Sequence, residues 1–401
     1  MDLLKKVYCR TYQAVFRAAI PVLPYHRPVI LNSLTAIPEV VLKNKRSRVL
    51  LITDSGIRRL GLIDPLTKAL KEHQIACFIY DKTVANPTTD NVSEALDMYR
   101  KNYCDVIIGF GGGSSMDCAK AVGACVARPK KSLGKMAGVL KVLRPLPLLM
   151  AVPTTAGTGS ETTLAAVITD AQTRHKYPIN DFALIPRYAV LDPRVTLSLP
   201  PFITATTGLD ALTHAVEAYI GNSTTKDTRK EALYAVKLIF NNLEIAYKDG
   251  KNITARRNML KASFYAGCAF TKSYVGYVHA VAHALGGAYD VPHGLANAIL
   301  LPHVLEAYGP CIYGKLHRLA MAAGLADKDT PKETAAKTFI QAIRDMKDMF
   351  HIVDTIPQIR EEDIGKLARY ADKEANPLYP VPVLMDAKEL EPFFRKGMKL
   401  Q

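Results

Sequence analysis

Along the first half of the chain, short runs of wholly apolar residues alternate with segments whose apolar positions recur every three or four residues. Residues 48–53 (RVLLIT), 76–80, 105–110 (DVIIGF) and 148–152 (LLMAV) have the length and apolar centres of strands buried on both faces. A helical stretch is expected from Asp54-Ser55-Gly56 to about residue 73, and another should begin after Gly113. Strands that alternate with helices predict βαβ units and a mainly parallel, Rossmann-like sheet. After Leu199-Pro200-Pro201 the texture changes and the pattern becomes almost entirely helical. Long segments at 228–247 and 253–270 are punctuated by Gly250, Pro292, Pro302, Pro310 and Gly324. The fold class that follows is an α/β N-terminal domain over residues 1–199 and an all-α C-terminal domain over 200–401. Within the first, residues 1 to about 24 carry Leu4, Val7, Tyr8, Val15, Phe16 and Ala19 at the spacing of one amphipathic helix.

Composition narrows the class. At 401 residues the chain suits two domains, and no run of roughly 18 apolar residues predicts a membrane span. Lys5, Lys6 and Arg10 are not followed by the unbroken apolar region of a secretory signal. The seven cysteines are odd in number and form no C-x-x-C pair, so a reducing, cytoplasmic setting is expected. The net charge of +15 invites a nucleic-acid reading. However, the densest acid-free stretch, 128–144, has no interleaved aromatics, and no nucleic-acid-binding motif is present, so none is expected to bind. The excess supports a mild attraction for anionic ligands instead.

Two turns carry the first candidate chemistry. Gly109-Phe110-Gly111-Gly112-Gly113-Ser114-Ser115 follows a strand and opens a helix, where backbone N–H groups and the helix dipole favour a phosphate. A tight turn without a ligand would need glycines as well. A second turn, Pro153-Thr154-Thr155-Ala156-Gly157-Thr158-Gly159-Ser160-Glu161, offers small and hydroxylated residues after the next strand, so the two would line one crevice at the carboxyl ends of the sheet. Asp54 ends the RVLLIT strand, where a carboxylate accepts from ribose hydroxyls and repels a 2′-phosphate. Its alternative role is a helix N-cap.

The second half carries the metal chemistry. Asp210 and His214 stand at i and i+4 on one helical face, followed by His279 and His283 at the same spacing and by Pro292-His293-Gly294. One Asp and three His compose an N/O site suited to Fe²⁺ or Zn²⁺. The His279–His283 pair resembles a zinc-protease helix, but Ala280-Val281-Ala282 lacks the glutamate such an enzyme requires. The other histidines, His175 and His303 among them, have no such company and read as structural.

Taken together, GGGSSMDCAK, PTTAGTGSE, TTGLDALTHAVEAY and HAVAHALGG…VPHG, in that order, resemble the iron-containing alcohol dehydrogenases from about residue 28 onward. The resemblance implies a metal-dependent enzyme that moves a hydride between a primary alcohol or small diol, or the aldehyde, and NAD, with NADP as the alternative cofactor. It implies Asp210, His214, His279 and His293 as ligands of Fe²⁺ (alternatively Zn²⁺), with His283 facing the nicotinamide as the proton-relaying residue. Implied cofactor contacts are Asp54, Asn86, Gly113, Ser114, Thr154, Thr155, Thr163 and Lys176, and Phe270 resembles a wall of the substrate pocket. A homodimer or higher homo-oligomer is expected. Rival readings are a glycerol-type polyol dehydrogenase and, outside enzymes, an NAD-binding redox sensor. Two features depart from the family pattern. Thr271-Lys272-Ser273-Tyr274 is bulkier than usual where the pocket should be bordered. The helix before Pro24 is also additional, expected to pack on the domain or a sister subunit, with a peripheral membrane or partner contact as the alternative.

Overall fold

A continuously apolar strand is favoured where both of its faces are covered. The runs at 48–52, 106–111 and 148–153 meet that condition, whereas 76–80, expected to be buried on both faces, is an edge strand in which only Tyr80 is buried. The computed structural model describes residues 1–398. Its strands are β1 (Val29–Leu31), β2 (Arg48–Ile52), β3 (Ala76–Tyr80), β4 (Val106–Gly111), β5 (Gly138–Val139), β6 (Leu148–Pro153), β7 (Ala165–Thr169), β8 (Lys176–Asn180) and β9 (Tyr188–Val190). Six of them form one parallel sheet in the order β1-β9-β6-β4-β2-β3. Leu50, Ile52, Ile107 and Leu149 point into one buried layer; Val49, Leu51, Val106, Ile108, Met150 and Val152 build the other. The chain opens with helix α1 (Leu3–Ala19). The sheet is then flanked by α2 (Ile37–Lys43), α3 (Ser55–Arg59), α4 (Asp64–Glu72), α5 (Thr89–Lys101) and α6 (Gly113–Ala127). Strands β5, β8 and β7 make a separate small sheet.

The helix expected over 54–73 is two helices. Gly61, at φ +67°, closes α3 in a left-handed conformation, and Pro65 starts α4, where a missing N–H costs nothing. The short strands β1, β5, β7, β8 and β9 were not legible from apolar runs; β8, for instance, alternates buried and exposed positions.

The second half folds into α7 (Pro201–Ile220), α8 (Lys226–Lys248), α9 (Ile253–Ser273), α10 (Tyr277–Tyr289), α11 (His293–Tyr308), α12 (Tyr313–Ala322), α13 (Lys332–Met349), α14 (Glu361–Ala375) and α15 (Ala387–Gly397). Helix α7 is buried on every side from Gly208 to Ile220, as a central helix must be. Pro302, expected to interrupt a helix, lies inside α11, whose apolar residues are buried around it and hold the helix despite the missing N–H.

The chain divides into two compact units, Pro24–Ser198 and Met1–Leu23 with Leu199–Gln401; residues 399–401 of the expected helical domain lie outside the described residues. Helix α1 thus belongs to the helical unit and not, as the sequence boundary had it, to the α/β domain. The reason is a set of specific contacts. Lys5 pairs with Asp372 at 2.8 Å, Arg10 donates to the carbonyls of Val381 and Pro382, and buried Gln13 donates to those of Pro377 and Tyr379. Phe16 meets Tyr274 edge to face, with ring centroids 5.0 Å apart.

Candidate metal centre

Helix α7 sets Asp210, His214 and Glu217 along one face by their spacing of four and three. Helix α10 brings His279, and His293 is the first residue of α11. The close approach of α11 to α7 requires Gly294, since a Cβ there would stand 2.5 Å from the carbonyl oxygen of Thr206. One ligand atom from each of Asp210, His214, His279 and His293 lies within 4.8 Å of the other three. Asp210 Oδ1 is the hub: it stands 3.9 Å from His214 Nδ1, 3.9 Å from His279 Nε2 and 3.4 Å from His293 Nε2.

The donors fit a divalent metal. His279 Nδ1 is 2.6 Å from Glu217 Oε2, which fixes the tautomer that turns the Nε2 lone pair inward. That Nε2 is buried and makes no hydrogen bond among the described residues, a costly arrangement that coordination would satisfy. Burial, with His214, His293 and His283 nearby, drives His279 well below the usual histidine range, so it is neutral as a ligand must be. Glu217 also accepts the N–H groups of Gly276 and Val278, each at 2.8 Å, and so caps α10 while aiming its histidine. Burial pushes Glu217 up to about 7 against these donors. Asn297, one turn after His293, donates to Asp210 Oδ1 at 2.7 Å and contacts His293 Nε2 at 3.1 Å.

His283 lies one turn beyond His279 but outside the four-atom cluster. Its ring stacks on His293 with centroids 5.1 Å apart, and Nδ1 is 2.6 Å from Glu374 Oε1. Tyr379 donates to the same oxygen at 2.7 Å. Burial alone would raise Glu374, but the adjacent His283 and the two hydrogen bonds outweigh it and hold the carboxyl below its ordinary value. Phe270 stacks on His214, centroids 4.2 Å apart at 15°, and so stands beside one of the four candidate donors. Of the bulky segment after it, Thr271 and Ser273 are buried. Tyr274, at φ +60°, packs against Phe16 and Tyr379, so its bulk serves the docking of α1.

In the α/β unit the carboxyl ends of β2, β4 and β6 are neighbours, with Ile52 opposite Gly109 and Gly111 opposite Pro153. Thr154 N–H donates to the Gly111 carbonyl at 3.0 Å, which locks the second turn onto the first, and Thr155 lies beside Gly112. Asp54 is the N-cap of α3: Oδ1 accepts from Ile57 N–H at 2.9 Å, while Oδ2 lies toward Gly111. Asn86, Ser114 and Lys176 come together from three elements. Asn86 N–H donates to Ser114 Oγ at 3.3 Å, and Lys176 Nζ donates to Asn86 Oδ1 at 2.7 Å. Thr163 is buried, with its hydroxyl engaged by Lys120 at 2.8 Å. Sequence reasoning passed over Lys120, which is fully buried and also bonds both Ser160 oxygens and the Ala165 carbonyl. Burial lowers it to about 8. It cross-links the two turns, and its spacing from the glycine turn was the only available signal.

Two family profiles match the chain: "Iron-containing alcohol dehydrogenase" over residues 30–193 and "Fe-containing alcohol dehydrogenase family, C-terminal" over residues 204–398. The 1,3-propanediol dehydrogenase of Citrobacter freundii is 38% identical over 354 residues, covering 87% of this chain and 91% of that protein. The NAD-dependent methanol dehydrogenase of Bacillus methanolicus is 35% identical over 329 residues, covering 81% and 85%. The crystal structure of a 1,3-propanediol oxidoreductase superimposes with a TM-score of 0.88 at 35% identity, covering 93% of this chain and 98% of that one.

Proposed function

This chain belongs to the iron-containing alcohol dehydrogenase family, and on that premise we propose that it is a metal-dependent alcohol dehydrogenase acting on a small primary alcohol or diol, or on the aldehyde, with NAD(H). The observation that carries this reading is the convergence of Asp210, His214, His279 and His293 within 4.8 Å. Three imidazoles and one carboxylate suit Fe²⁺, with Zn²⁺ as the alternative.

When bound, the metal supplies a Lewis acid for the substrate oxygen and the nicotinamide supplies the hydride acceptor. Glu217 keeps His279 Nε2 directed at the centre, and Asn297 holds Asp210 Oδ1. Phe270, stacked on His214, offers an apolar wall to the carbon chain of the substrate. Glu374 retains Nδ1 of His283, so proton exchange falls to its Nε2, on a side chain 43% exposed to solvent. The N-terminus of α6, at Gly113 and Ser114, suits the pyrophosphate. Thr154, Thr155, Asn86 and Lys176 supply further polar contacts, and Thr163 supports them through Lys120. We place the enzyme in the cytoplasm, as its scattered cysteines suggest, and in a homo-oligomer; no described helix is long and apolar enough to cross a membrane.

The test is anaerobic purification, chelation and reloading with Fe²⁺ or Zn²⁺, followed by NAD reduction with short primary alcohols, 1,3-diols and glycerol. Activity should vanish on chelation and return with metal; full turnover in demonstrably metal-free protein contradicts the reading. Cofactor choice is a separate prediction. Asp54→Gly should shift the NAD/NADP preference toward NADP by roughly ten- to hundredfold. A like-charge contact near 4 Å costs about 1–4 kcal/mol between bulk-water and protein-surface dielectrics. Glycine keeps most of the cap of α3, so the loss is not one of folding. A wild-type enzyme that already prefers NADPH would confine Asp54 to capping.

A further inference from the structure

We propose that the pocket between α1 and the turn after α7 is a binding site for a small phosphate-bearing anion. The cavity, about 430 Å³, is lined by Arg10, Gln13 and Arg17 of α1, by two alanines of the same helix, and by Asn222 and Ser223. On α1 the spacing of Arg10, Ala14 and Arg17 puts two guanidinium groups on one stripe and leaves room between them. Ser223 is 1% exposed and its hydroxyl makes no hydrogen bond among the described residues. A buried hydroxyl on a cavity wall with no partner is costly unless a ligand completes it.

Charge points to the class of ligand. Behind the pocket, Lys315 of α12 donates to the Ile220 carbonyl, and Arg229 of α8 bonds Thr224 Oγ1 at 3.0 Å. Burial lowers the Lys315 ammonium, and Arg10, Arg17 and Arg229 lower it further by repulsion. Among the described residues none of these four cations has a carboxylate in an ion pair, although Lys5 on the same helix has Asp372. Two guanidinium groups from α1 and a hydroxyl from the turn after α7 line the cavity, with the Lys315 and Arg229 charges outside its lining. That set suits a tetrahedral anion, which accepts hydrogen bonds in several directions. The volume accommodates more than a bare phosphate, so a soluble phosphomonoester fits. A phospholipid headgroup offers the same chemistry, since α1 leaves Leu4, Tyr8 and Val15 at 84%, 60% and 66% exposure.

The experiment uses the metal-loaded full chain as wild type, Arg17→Ala and Ser223→Ala. Melting temperature is followed against inorganic phosphate and glycerol 3-phosphate, with chloride at matched ionic strength, and flotation is measured with phosphatidylglycerol and phosphatidylcholine vesicles. The expected result is a saturable, phosphate-specific stabilisation of the wild type, with affinity about tenfold weaker in each variant, the scale of one charge-assisted hydrogen bond. Without ligand, Ser223→Ala should melt no lower than wild type. Any phosphate held elsewhere on the protein adds a component that the two variants leave unchanged. Stabilisation by the soluble phosphates assigns a soluble ligand; phosphatidylglycerol-specific flotation lost in Arg17→Ala assigns a headgroup. The proposal fails if phosphate does no more than chloride and flotation ignores Arg17, or if both variants respond as the wild type does.

Discussion

His279→Ala and His293→Ala should each strip the protein of its metal and its turnover together, whereas His283→Ala should keep near-stoichiometric metal while turnover falls by about 10²–10⁴-fold. The three histidines are neighbours, and helical spacing alone allows His279 and His283 to share a metal. The structure separates them by their second nitrogens. His279 is buried with Nδ1 on Glu217, and its Nε2 lies 3.9 Å from Asp210 Oδ1. His293 Nε2 lies 3.4 Å from the same oxygen. His283 instead has Nδ1 on Glu374, and among the described residues its ring is part of no four-donor cluster. Removing a donor from a four-donor site weakens affinity beyond the roughly 10–100-fold that loss of a supporting partner costs. Removing a proton relay leaves the site assembled and costs about 10²–10⁴-fold in rate. Metal analysis beside the rate, on all three purified variants, decides the assignment. A metal-free His283→Ala together with a metal-replete His279→Ala would reverse it.

Glu217→Gln should lower metal affinity by about 10–100-fold and destabilise the fold by about 1–3 kcal/mol. One carboxylate accepts three N–H groups here, from Gly276, Val278 and the His279 ring. Glutamine has one acceptor oxygen and turns an NH₂ toward at least one of those donors, which leaves a buried N–H without its partner. Space forbids easy relief, since a Cβ on Gly276 would already stand 2.7 Å from Glu217 Oε1. The two effects are measured separately: metal affinity by competition with a chelator on folded protein, stability by denaturant titration of the metal-free form. A less stable variant with unchanged affinity would reduce Glu217 to the cap of α10. Glu217→Ala should be worse on both counts, because all three donors lose their acceptor.

Neither Glu217 nor the other supporting groups was singled out from sequence, although Glu217 lies within TTGLDALTHAVEAY one turn after His214. It aims a histidine 62 residues away, and Glu374 holds one 91 residues away. Asn297 was equally silent, since an asparagine four residues after a histidine is commonplace until α11 is laid against α7. Tyr274, read as a possible crowding of the pocket, instead meets Phe16 of a helix more than 250 residues earlier in the chain.

What the sequence determined by itself was whatever depends on neighbours along the chain. Apolar runs such as 49–52 demanded strands covered on both sides, the glycine turns demanded backbone freedom after β4 and β6, and i, i+4 spacing placed Asp210 with His214 on one face. Only the tertiary structure decided that α1 joins the helical unit, that Glu217 holds His279 with its Nε2 toward Asp210, and that Gly61 divides a helix in two. Periodicity records which face of an element is apolar. It does not record which partner covers that face, because the partner is selected by packing and by buried hydrogen bonds that form only once distant segments meet.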